Sequence, residues 1–103
     1  MTKHIAIGGM IAAGCDVTGA YLLTVSHSGR AVYSTASLER VARDRSPAYP
    51  QGGRLVGIGP IEGASIPVAE MNYDTSELRF TSPDGKRQFE YDSGTLTVTD
   101  ATA

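Results

Sequence analysis

The sequence predicts an all-β domain built mainly from antiparallel strands: a small meander, sandwich or half-open barrel of about seven or eight short strands. Three observations carry this. The 103 residues include 12 Gly and 5 Pro, a density of punctuation that long helices do not tolerate. Short stretches alternate strictly between apolar and polar residues, the two-residue period of a half-buried strand. Clusters of Gly, Asp and Ser separate those stretches and supply turn chemistry.

From the N-terminus, Ile5, Ile7, Met10 and Ile11 suggest a strand or strand pair, closed by the turn signal Asp16-Val17-Thr18-Gly19. Residues 21–25 form the next strand, with Tyr21, Leu23 and Val25 on one face. Ser26-His27-Ser28-Gly29 reverses the chain, and residues 30–35 return it around Val32 and Tyr33. Residues 37–44 admit two readings. Leu38, Val41 and Ala42 fit one face of a short helix, whereas the hairpin-rich surroundings favour a strand. On that strand Arg43 shares a face with Glu39 and Val41, and Arg40 points the other way; on a helix Arg40 and Arg43 lie together.

Residues 46–63 carry Pro47, Pro50 and Pro60 and five glycines, and read as one long loop. Ile66, Val68 and Met71 then mark a strand running to Tyr73. Pro67 lacks a ladder donor and is expected on an edge or beside a bulge. The C-terminal third is the plainest. Residues 77–81, 86–91 and 95–99 alternate, with turns at Pro83-Asp84-Gly85 and Asp92-Ser93-Gly94. One face collects Leu78, Phe80, Phe89, Tyr91, Leu96 and Val98. The other collects Glu77, Arg79, Gln88, Glu90, Thr95, Thr97 and Thr99. The whole reads as a single domain over 1–103: an N-terminal meander over 1–44, the loop over 46–63 and a C-terminal meander over 64–100.

Residues 10–44 resemble one blade of a WD-repeat-type β-propeller: a strand, Asp16-Val17-Thr18-Gly19, Tyr21-Leu22-Leu23, Ser26-His27-Ser28-Gly29, Ala31-Val32-Tyr33 and a last strand ending at Arg43. Residues 82–98 resemble part of a second blade more weakly. The resemblance implies a four-stranded meander. Tyr33-Ser34 stands where the family has Trp-Asp, and a chain of 103 residues holds two blades at most, so no closed propeller is expected.

Composition narrows the function classes. Nine Lys+Arg against 11 Asp+Glu give a formal charge of −2, which argues against a nucleic-acid partner. The single cysteine, Cys15, rules out an internal disulfide framework and a Cys-based zinc site. Ala12-Ala13-Gly14-Cys15 has the small residues of a lipidation site, so a lipoprotein anchored through Cys15 is an alternative. Gly8, Gly9 and Gly14 dilute the apolar run before it, which favours a soluble cytoplasmic protein with no membrane segment.

No catalytic, metal or cofactor motif is present. Ile5-Ala6-Ile7-Gly8-Gly9 lacks the later glycine of a dinucleotide loop, and no Gly-Lys-Ser/Thr follows. His27 sits between Ser26 and Ser28 with no orienting third group, which reads as turn hydrogen bonding rather than a nucleophile and its base. What remains is surface. Arg40, Arg43 and Arg45, with Arg54 nearby, form a basic patch beside Tyr49 in the proline-pinned loop. Glu70, Asp74 and Glu77 form an acidic counterpart, of which Glu70 and Asp74 are partner-binding candidates, and His27 completes that set.

The expectation is therefore a non-catalytic, cofactor-free protein-binding module, a monomer or homodimer. It resembles in size and chemistry the small inhibitors of the immunity-protein type, which neutralise a toxin or enzyme by stoichiometric complex formation. Two alternatives stand beside it: a self-associating β protein, and a small enzyme or ligand-binding protein in which carboxylates converge on His27.

Overall fold

The computed structural model of the chain describes residues 2–45, 53–56, 65–73 and 78–100. Among the described residues all regular structure is β-strand, paired antiparallel throughout. The strands are β1 (Thr2–Ala6), β2 (Met10–Asp16), β3 (Tyr21–Ser26), β4 (Gly29–Ser34), β5 (Arg40–Asp44), β6 (Arg54–Val56), β7 (Ser65–Asn72), β8 (Arg79–Thr81), β9 (Arg87–Asp92) and β10 (Thr95–Asp100). They form a four-stranded sheet in the order β1-β10-β9-β8 and a six-stranded sheet in the order β5-β4-β3-β2-β7-β6.

Alternation explains the smaller sheet. Its inner face carries Ile5, Phe80, Phe89, Tyr91, Leu96 and Val98, all in one core cluster, and the rings of Phe80 and Phe89 stack with centroids 4.8 Å apart. Its outer face carries polar cross-strand pairs: His4 bonds Thr97, and Arg79 bridges to Glu90. Asp84 closes the β8–β9 turn by accepting from the Ser82 hydroxyl at 2.5 Å and the Lys86 amide at 3.1 Å.

The larger sheet is buried on both faces. Ala13, Cys15, Leu22 and Tyr33 face the smaller sheet and join its core. Leu23, Val32, Ala42, Leu55 and Ile66 form a second cluster on the opposite face. That cluster holds residues of β5 and β6, the two edges of the sheet, so the sheet must curl around it into a half-open barrel. Bulges where β2 meets β3 and β7, and where β4 meets β5, supply the curvature. The Asp16 carboxylate closes the β2–β3 turn, accepting from the Thr18 hydroxyl at 2.5 Å and the Tyr21 amide at 3.0 Å.

Of the two readings of residues 37–44 the favoured strand holds: Leu38 has φ 61°, which breaks a helix, and β5 follows. Three local details depart from the sequence reading. A bulge in β5 re-aims Arg40, as the next subsection describes. The stretch 46–63 is not all loop, since it contains β6, zipped to β7 with Leu55 opposite Ile66. Finally, the two meanders exchange strands. β1 pairs with β10 in the smaller sheet, and β7 pairs with β2 in the larger one. Pro67 is on an interior strand beside a bulge, where β7 shifts register against Asp16.

Candidate functional site

The site grows out of the β4–β5 ladder. Arg43 lies opposite Ala31 and Arg40 opposite Tyr33, two residues that share the face turned toward the smaller sheet. A regular strand would send Arg40 to the other face. Here Val41 is the extra residue of the bulge, and the shift brings Arg40 round to the side of Arg43. The sequence expectation that Arg40 and Arg43 diverge is corrected by that one inserted residue.

The result is a cleft of about 340 Å³ between the end of β1 and the β4–β5 edge. Ala6, Ile7 and Gly8 form one wall, and Thr24, Ser26, Ala31 and Tyr33 form the floor. Arg40, Arg43 and Arg45 form the other wall with Arg30 and Asp44. Arg30 is spent: its Nε donates to Asp44 Oδ1 at 3.2 Å and its Nη2 to Oδ2 at 2.5 Å. No described residue accepts a hydrogen bond or forms an ion pair with Arg40, Arg43 or Arg45, and all three are exposed. Burial pushes the Tyr33 hydroxyl above its ordinary pKa, and the nearby Arg40 charge offsets part of that rise. Tyr33 therefore stays protonated and able to donate.

Among the described residues, two further clefts lie elsewhere. One of about 590 Å³ is lined by Thr18, Ala20, Thr35, Ala36, Asp84, Lys86, Arg87 and Asp100. Its arginine and one of its acids pair with each other. Arg87 pairs with Asp100 and donates to the carbonyls of Thr35 at 2.9 Å and Ala36 at 3.3 Å. The Asp84 carboxyl is held below its ordinary range, chiefly by the Ser82 hydroxyl and then by the Lys86 amide. This cleft reads as a structural clamp between sheets. The other, about 250 Å³, borders Cys15 and Asn72. Burial, with Asp16 and Asp84 nearby, pushes the Cys15 thiol up to about 12, so it is no nucleophile near neutral pH.

Of the residues the sequence singles out, Arg40, Arg43 and Arg45 meet at the first cleft. His27 does not join them: it sits exposed in the β3–β4 turn, its amide bonded to the Gly9 carbonyl at 3.1 Å, and it lines none of these clefts. Arg54 is on β6, where it donates to the Ser65 carbonyl and hydroxyl. Glu70 is on β7 with its backbone opposite Cys15. Tyr49, Asp74 and Glu77 lie outside the described residues. Tyr33 and the β1 wall were not foreseen as site residues. Their role depends on which strands meet across the sheets, which no local pattern encodes.

Among the described residues no group of three His, Cys, Asp or Glu side chains could hold a metal ion, and no helix is long and apolar enough to cross a membrane. No protein-family model matches the chain, and neither a curated protein nor a solved structure matches it.

Proposed function

We propose that this chain is a non-catalytic protein-binding module that acts through a stoichiometric complex, as small inhibitors of the toxin-neutralising type do. The observation that carries the reading is the gathering on one cleft wall, by the β5 bulge, of three arginines that have no partner among the described residues. Arginine is enriched among the anchors of protein interfaces, and a guanidinium with no internal partner is free to serve a neighbour. The state of the nucleophile candidates supports binding over catalysis. Cys15 is buried and protonated, and His27 lines none of the clefts, although its neighbours Ser26 and Ser28 border the first. We place the module in the cytoplasm. A lipid anchor at Cys15 would require removal of β1 and of all of β2 but Cys15 and Asp16, strands that between them pair with β10, β3 and β7.

The test is a complex with the product of the adjacent gene, measured by light scattering and calorimetry. A 1:1 complex is expected, with Arg43→Ala and Arg40→Ala each weakening it by about 1–2 kcal/mol. Wild-type affinity in both variants would reject this face as the contact surface. A homodimer persisting on dilution would instead favour self-association.

A further inference from the structure

We infer that the arginine cleft is built to receive a cluster of carboxylates on the partner protein. This rests on the protein-binding reading above and adds the chemistry of the partner. The charge count comes first. Among the described residues the lining contains Arg30, Arg40, Arg43 and Arg45 against a single acid, Asp44. Arg30 and Asp44 neutralise each other, which leaves a local surplus of three positive charges in a chain whose formal charge is −2. A basic pocket on an acidic protein is a local device, and a basic partner surface would be repelled from it.

Donor geometry comes second. Each guanidinium offers a rigid fork of N–H groups that matches two carboxylate oxygens, and such paired bonds are roughly twice as strong as neutral ones. The Tyr33 hydroxyl on the floor remains protonated and can add a donor beneath the forks. Gly8, on the opposite wall, has no heavy atom within 4 Å of where a Cβ would stand, so the mouth has room for an incoming side chain.

Shape comes third. A cleft of about 340 Å³ hemmed by two sheets suits two or three acidic side chains. Its surplus charge is confined to residues 40–45, on β5 and just past it, whereas a nucleic-acid backbone is tracked by positive charge along an extended groove.

The test is a two-dimensional NMR titration of the full chain, including the arginine Nε–H signals, with an acetylated, amidated hexaglutamate peptide. Saturable shifts are expected at the Arg40 and Arg43 side chains and at the Ala31 and Tyr33 amides. Arg40→Gln/Arg43→Gln should abolish them, and Arg40→Lys/Arg43→Lys should weaken binding by about fivefold or more, because the charge stays and the fork is lost. Arg79→Gln removes the same charge from the far face of the other sheet and should leave the titration unchanged. Retained amide dispersion in each variant verifies folding.

The inference fails if no saturable shift occurs, if shifts spread equally over Arg54 and Arg79, or if the double glutamine variant binds as wild type. It also fails if inorganic phosphate or a short oligonucleotide binds and hexaglutamate does not. Such a failure leaves a 1:1 complex through another face possible. Peptide binding without a 1:1 complex would instead reject the functional reading and keep the site.

Discussion

The Arg30 guanidinium lies directly across the β4–β5 ladder from the Asp44 carboxylate, which it grips with two hydrogen bonds at one end of the arginine cleft. The Arg30 side chain is 6% exposed and that of Asp44 26%, so the cation is desolvated and depends on its anion. The pair fixes the end of β5 and keeps Arg30 out of the surplus charge that defines the cleft.

Asp44→Asn should therefore destabilise the fold by about 2–4 kcal/mol, because it leaves a buried cation short of its counter-charge. Urea unfolding followed by fluorescence or circular dichroism measures this. A loss below about 0.5 kcal/mol, typical of a surface pair, would show that Arg30 is not held by this contact.

Gly29→Ala should be among the most damaging single changes. Gly29 has φ 130°, and a Cβ built there would lie 2.0 Å from the Asp44 carbonyl oxygen, a backbone atom that cannot step aside. At least about 3 kcal/mol is expected. Gly85→Ala is the control. Its φ is 73° with nothing within 4 Å, so only the left-handed backbone cost of about 1 kcal/mol applies. Equal losses at the two positions would mean that β5 does not run against Gly29.

The Cys15 thiol should lower stability on the alkaline side. Unfolding returns its pKa from about 12 toward 9.0, so between those values the unfolded state gives up a proton that the native state keeps. Stability then falls as pH rises, with a slope of up to about 1.4 kcal/mol per pH unit. The raised Tyr33 pKa adds a fall of the same sign at higher pH. In Cys15→Ala the slope between pH 9 and 10 should flatten relative to wild type, and the native thiol should resist alkylating reagents at pH 8. Rapid native-state labelling would contradict its burial.

Arg87 is the strap between sheets at the far end from the arginine cleft. It leaves β9 to bond the carbonyls of Thr35 and Ala36 in the turn that precedes β5, while pairing with Asp100. Arg87→Ala should cost about 2–3 kcal/mol, since charge-assisted bonds to the backbone are among the stronger ones. Arg87→Lys should recover little, because an ammonium cannot hold two carbonyls and a carboxylate in that spread geometry. Near-complete rescue by lysine would reduce the strap to a simple charge pair.

The C-terminal sheet was legible because each of its strands buries one face only. Phe89 and Val98 alternate with Gln88, Thr97 and Thr99 without exception, and the turn residues Asp84 and Gly94 do what their chemistry indicates. The larger sheet was harder because it is covered on both sides. Leu22 and Leu23 are both fully buried, one in each cluster, so alternation carries little information there. The arginines were legible as a patch, but their convergence was not. It depends on one extra residue, Val41, whose apolar side chain at 39% exposure looks like an ordinary strand position. Which strand neighbours which was equally hidden, because β1 and β7 each join a partner remote in sequence.

The pairing of β1 with β10 also sets the order of assembly on the ribosome. Thr2 finds its place opposite Thr99, so β1 stays uncovered until β10 has been made. Closing so long a loop slows folding. Once shut, Thr2 and Thr99 stand side by side, and a force drawing these two residues apart would peel the ladder one rung at a time instead of shearing it all at once.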